Sequence, residues 1–197
     1  MKSVFIFSIL IFQLILPLHA QQIFGLTYDI CVPILDTKEH VSNISFVGFG
    51  LDARQMMNEK VSFGVTFHWN SFKDDRLEKV DTGEGSFIAI DDRTLESFPI
   101  LLSSHFYFFG EMDNFRPYIG TNVGTYFIIQ RSNVDGIRRV YKNWHLGLAP
   151  DVGFMIKFMR DVHIMLTLRF NYAAPTGGSP AQTYWSVLFG FVSVSLF

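Results

Sequence analysis

Val61-Ser62-Phe63-Gly64-Val65-Thr66-Phe67-His68-Trp69-Asn70 puts Val, Phe, Val, Phe and Trp at every second position, with Ser, Gly, Thr, His and Asn between them. Strict alternation over ten residues is a β-strand signal, because successive side chains leave opposite faces of a sheet. Residues 162–172 repeat it: Val162, Ile164, Leu166, Leu168 and Phe170 oppose His163, Met165, Thr167, Arg169 and Asn171. In 24–32, Phe24, Leu26, Tyr28, Ile30 and Val32 oppose Gly25, Thr27, Asp29 and Cys31. In 144–157 the apolar set from Trp144 to Ile156 opposes His145, Gly147, Asp151, Gly153 and Lys157, with Ala149 and Met155 as exceptions. Four less regular segments, 43–57, 95–110, 116–130 and 182–197, raise the expected strand number to eight. The last is apolar on both faces near its centre, so its outward face stays unassigned.

The connections between these segments run over 33–43, 58–60, 71–94, 111–115, 131–141, 159–161 and 173–181. They alternate long and short. A soluble meander has no reason to sort its connections by parity, whereas a membrane barrel has short turns on one side and longer loops on the other. Each segment is near or above the 9–11 residues that a tilted strand needs to cross a bilayer. After residue 20 no apolar run approaches the ~20 residues of a spanning helix. The expected fold is therefore all-β: an eight-stranded antiparallel up-and-down transmembrane β-barrel. An even strand count puts both termini on the short-turn side.

Composition narrows the function classes. Of 197 residues 49% are hydrophobic and 17% charged, with 22 Phe, one Cys and a net charge of −2. Charge at this level is low against the roughly 25% of soluble domains, and so aromatic a chain is not intrinsically disordered. A single Cys leaves no disulfide framework or Cys-based metal cluster. Near-neutral charge without a basic run gives no support to nucleic-acid binding. Residues 1–20 have a Lys2 start, an apolar core to Leu16, Pro17, and a small residue at Ala20, the layout of a cleaved export signal. The barrel domain is then 21–197.

The polar face distinguishes a lipid-facing barrel from a soluble one such as a lipocalin, whose apolar face points inward. It is built of Gly, Ser, Thr, Asn and His with few charges, which suits the narrow lumen of eight strands better than a surface in water. The charges assigned to it balance: Asp29, Asp52 and Asp151 against Arg54, Lys157 and Arg169. His68, His105, His145 and His163 share that register. Trp69, Trp144, Tyr172, Tyr184 and Trp185 lie near the long-loop ends, and Phe106, Phe108 and Phe158 near the short-turn ends, as two interfacial aromatic girdles require.

Arg116-Pro117-Tyr118-Ile119-Gly120-Thr121-Asn122-Val123-Gly124, Leu148-Ala149-Pro150-Asp151-Val152-Gly153-Phe154 and the terminal Leu188 to Phe197 resemble the small outer-membrane β-barrel proteins of Gram-negative bacteria, the porin-like superfamily with OmpX- and OmpW-type barrels. That resemblance covers essentially the whole mature chain. It implies an outer-membrane location, surrounding lipid, and recognition of Phe197 by the barrel assembly machinery during biogenesis. Ser193 and Ser195 depart from the hydrophobic residues usual on the Phe197 face.

No chemistry-bearing constellation emerges. The histidines lack metal-ligand spacing, and Ser104-His105 points to opposite faces of a strand. Asp74-Asp75 and Asp91-Asp92 read as a solvated surface loop, and Cys31 as an inert thiol. The expectation is a monomeric, non-enzymatic barrel with no cofactor, no metal and no nucleic-acid partner. Its lumen is polar and packed, and its outer loops, chiefly about 71–94, meet an unidentified extracellular ligand. The alternatives are a narrow passive pore for small or hydrophobic solutes and a lipid-modifying barrel enzyme.

Overall fold

In the computed structural model, residues 21–82, 85–109, 114–134 and 137–195 are described. The expected export signal over 1–20 and the assembly signal at Phe197 lie outside the described residues. The strands are β1 (Gln22–Ile34), β2 (Gly48–Asn58), β3 (Val61–Thr82), β4 (Gly85–Tyr107), β5 (Phe115–Val134), β6 (Ile137–Lys157), β7 (Val162–Ala173) and β8 (Gln182–Ser195), with one short helix, α1 (Leu35–His40), after β1. Each strand pairs antiparallel with the next, and β1 closes the ring on β8 from Gln22↔Ser195 to Ile34↔Thr183. Closure satisfies backbone hydrogen bonding without leaving a sheet edge in hydrocarbon.

The alternation fixes which wall faces out. Leu26, Leu102 and Leu146 are 63%, 65% and 71% exposed, while Thr27, Ser103 and His145 beside them are buried. This inverts a soluble protein, and exposed apolar patches far beyond a few hundred Å² need an apolar partner. Among the described residues no helix is long and apolar enough to cross a membrane; here strands cross it. The last strand is resolved too: Trp185, Val187, Phe189 and Phe191 face outward, and Tyr184, Ser186, Leu188 and Val192 inward.

Aromatic rows bound the apolar belt. On the outer side, cross-strand neighbours form Phe49–Trp69, Phe127–Trp144 and Phe170–Trp185 ring contacts at 5.5, 5.0 and 5.0 Å. On the short-turn side Phe106 packs on Phe108 and Phe115 on Phe154. The twelve-residue step from Phe115 to Phe127 on β5, at about 3.3 Å per residue and a tilt near 40°, spans about 30 Å, a bilayer's hydrocarbon thickness.

Three expectations about the outer side need correction. Residues 71–94 are not a loop: β3 and β4 remain paired to Thr82↔Gly85. Residues 131–141 are likewise the paired ends of β5 and β6, up to Val134↔Ile137. Their charges suggested loops, but above the aromatic rows both faces of a strand meet water, so charge no longer reports loop structure. The strand expected over 43–57 begins only at Gly48; residues 35–47 instead fold α1 across the barrel mouth. The outer side is therefore a four-stranded extension, β3–β6, beside α1.

Candidate functional site: the charged interior and the outer extension

Asp29, Asp52, Arg54, His68, His105, His145, Asp151 and Arg169 are all buried inside the ring. The structure joins most of them. Asp29 accepts from His68 Nδ1 at 2.6 Å and from the Thr27 hydroxyl at 2.8 Å. Arg169 Nη1 lies 2.8 Å from His68 Nε2. A guanidinium only donates, so Nε2 accepts and the Nδ1–H donates to Asp29. Arg169 Nε donates to Asp151 Oδ2 at 3.2 Å, which also accepts from Asn122 Nδ2 at 2.8 Å, and His105 Nε2 stands 3.3 Å from Oδ1. Arg54 donates to Asp52 at 3.2 Å and faces the Tyr118 ring at 5.5 Å. His145 is held apart, its Nδ1 2.7 Å from the Ala174 carbonyl.

Room for the two imidazoles comes from glycines on neighbouring strands. A Cβ on Gly50 would lie 2.1 Å from His68 Nδ1, and one on Gly120 would lie 2.2 Å from His105 Cδ2 and 2.3 Å from Asp151 Oδ1.

A cluster of buried, mainly apolar side chains lies on either side of the charged layer. Phe72, Leu95, Leu101, Tyr126, Ile128 and Tyr184 are among those packed on the outer side, and Ile23, Met56, Tyr107, Tyr118, Met155 and Met165 on the short-turn side. Two site assignments change accordingly. Tyr184 is completely buried, its hydroxyl 3.0 Å from Ser97 Oγ, so it is no girdle residue. It sits on the inward register of β8, the strand whose faces alternation left open. Lys157 ends β6 and is exposed. Among the described residues, the buried arginine that joins Arg54 and Arg169 is instead Arg116, stacked over Tyr107 at 4.7 Å. Counting back by twos from Asn122 and Tyr118 places Arg116 on the inner face, a signal obscured by its position at the strand start beside Pro117. Trp69, Trp144, Tyr172, Trp185, Phe106, Phe108 and Phe158 lie on the outer wall or at its rim.

No serine–histidine pair forms at 104–105. Ser104 lies on the outward register and His105 is buried. Among the described residues no group of three or more His, Cys, Asp or Glu is placed to hold a metal ion.

The acidic pairs of the extension also split by face. Asp75 and Asp92 are exposed, whereas Asp74 and Asp91 are buried on the inner side. Asp74 accepts from Ser42 N–H and Oγ at 2.8 Å each and from Arg76 Nε at 2.9 Å. Burial opposes ionisation of Asp74, but the Ser42 donors and Arg76 outweigh it and hold the carboxyl below its ordinary range. Arg76 continues to the carbonyls of Glu39 and Lys38 at 2.7 and 2.9 Å, and Arg93 reaches the Glu39 carbonyl at 3.3 Å. Those are last-turn carbonyls of α1, orphaned by the helix end and favourable to cations. This is how so short a helix is held over the mouth.

No family model matches the chain, and no curated protein matches it. Solved structures do. Ail, the attachment invasion locus protein of Yersinia pestis, superposes with a TM-score of 0.56 at 10% identity, over 89% of this chain and 99% of Ail. The N-terminal β-barrel domain of Pseudomonas aeruginosa OprF gives 0.54 at 9% identity, over 90% and 99%. Neisserial surface protein A gives 0.52 at 15%, over 92% and 98%. The fold is that of a small outer-membrane β-barrel. At these identities the likeness is one of architecture alone.

Proposed function

We propose that this chain is a monomeric, non-enzymatic outer-membrane barrel with a filled interior. Lipid surrounds its belt, and the β3–β6 extension with α1 meets an extracellular ligand. In this reading the export signal and Phe197 deliver it to the barrel assembly machinery. The observation that carries it is the interior: charged groups paired within hydrogen-bonding distance, between two apolar layers that include six side chains as large as Tyr107, Tyr118, Tyr126, Tyr184, Phe72 and Met155. Such an interior serves to rigidify the wall and not to conduct, because moving ions through it would first have to break buried charge pairs. His105 and His145 point into this filled space, away from lipid, which supports a non-enzymatic role.

Planar-bilayer recording of the folded chain tests the proposal. The expected result is a silent membrane at 100 mV; unitary conductance steps would favour the narrow passive pore.

A further inference from the structure

A recess of about 220 Å³ opens on the inner side of the outer extension, lined by His40, Arg93, Gln130, Arg131, Ser132, Arg139 and Tyr141. Arg93 and Arg139, both on the inner register, bring two guanidiniums to it, and no Asp or Glu is among its lining residues. Arg93 is already positioned by Asp91 and the Glu39 carbonyl, whereas Arg131 lies on the outward register and turns its guanidinium to Glu96 at 3.0 Å. Arg139, at the exposed rim, makes no hydrogen bond or ion pair among the described residues. Gln130 is more than nine-tenths buried, lines the recess, and makes no side-chain hydrogen bond among the described residues. His40 Nε2 is also buried without a partner. Ser132 donates its hydroxyl to Asp91 at 2.7 Å, leaving the oxygen free to accept. Tyr141 is 60% exposed and offers a ring face. At roughly 30 Å³ per water, the recess displaces about seven waters, the size of one sugar ring with a small substituent.

We infer that this recess binds a phosphorylated sugar, with Arg139 and Arg93 on the phosphate and Gln130, Ser132 and Tyr141 on the ring. The inference rests on the proposed role of the extension as a ligand-meeting surface, and names the ligand class and the place. Planar guanidiniums suit the oxygens of a phosphate monoester, and an aromatic face with adaptable polar neighbours suits a hydroxylated ring. The recess lies on the inner register of β4, β5 and β6, whereas lipid headgroups meet the outward register. Its ligand therefore arrives from solution and not from the surrounding leaflet. His40 adds a pH dependence. Burial, then the facing Arg93 and Arg76, disfavour its protonated form, while the Thr94 backbone and Asp91 favour it. An anion in the recess favours it further, so binding takes up a proton and tightens as pH falls.

Titration calorimetry of the full folded chain in a zwitterionic detergent tests this, with glucose 6-phosphate and inorganic phosphate as probes. Both are expected to bind competitively, the sugar phosphate more tightly. Arg139→Gln is expected to weaken glucose 6-phosphate at least tenfold. Arg138→Gln, one residue away on the outward face, is expected to change it less than twofold. Inorganic sulfate, whose charge is constant over the range, is expected to bind more tightly at pH 5.5 than at 7.5, and His40→Gln to flatten that difference. No heat of binding to wild type, equal losses in the two arginine variants, or a signal only from anionic phospholipid vesicles would each overturn the inference. Heat-modifiable gel migration of every variant confirms that the barrel is folded, so failure here leaves the barrel reading intact.

Discussion

Asp151 is where the interior network converges: Arg169, Asn122 and His105 all approach one carboxylate. Removing its charge strands buried cations, and breaking such a pair costs about 3–5 kcal/mol. Asp151→Asn is therefore expected to lower the urea midpoint of the folded barrel in lipid vesicles, read as loss of the fast-migrating band. A smaller change follows from the close approach at Gly120: Gly120→Ala forces His105 or Asp151 aside, at about 1–3 kcal/mol. The same residues show how far the sequence could be read. Period two alone places Asp29, Asp52, Arg54, His68, His105, Asp151 and Arg169 on one face. It does not say who pairs with whom, because partners such as His68 and Arg169 are 101 positions apart and meet only through closure. Tyr184 shows the limit of reading aromatic type as position: a tyrosine near a strand end fits a girdle or a core equally well, and only the face of β8 decides.

The outer extension is the element the sequence disguised. Lys73, Asp74, Asp75 and Arg76 have a loop's composition, yet their pairing with Thr94, Arg93, Asp92 and Asp91 continues β3 and β4 in the same register. The alternation persists, with charge on both faces in place of apolar against small. Asp74 ties this extension to the chain around α1 through Ser42 and, at 3.1 Å, Asn43. The folded state holds its carboxyl below the ordinary 3.8, so the folded form binds fewer protons than the unfolded one. Its contribution is complete above the ordinary carboxylate range and is lost as pH falls through the folded value. Pepsin cleavage within 35–47 is expected to rise as pH falls from 4 to 2 in wild type. Asp74→Asn should cleave readily across that range.

At the scale of the whole molecule, a lipid-facing wall surrounds a charged layer, and the two must not exchange. Arg169 is 1% exposed, whereas Leu102 opposite the bilayer is 65% exposed. Leu102→Arg, between the rows of Phe98 and Phe106 on β4, is expected to destabilise the barrel in vesicles by about 2–4 kcal/mol, as charge on the midplane does; the same substitution would be mild on a water-facing wall. The contacts of labelled methyl groups test the arrangement most directly. In lipid nanodiscs, the methyls of Leu26, Leu102 and Leu146 are predicted to show nuclear Overhauser contacts to acyl chains, and those of Met155 and Met165 none. Acyl contacts at the two methionines with water contacts at the three leucines would contradict the account.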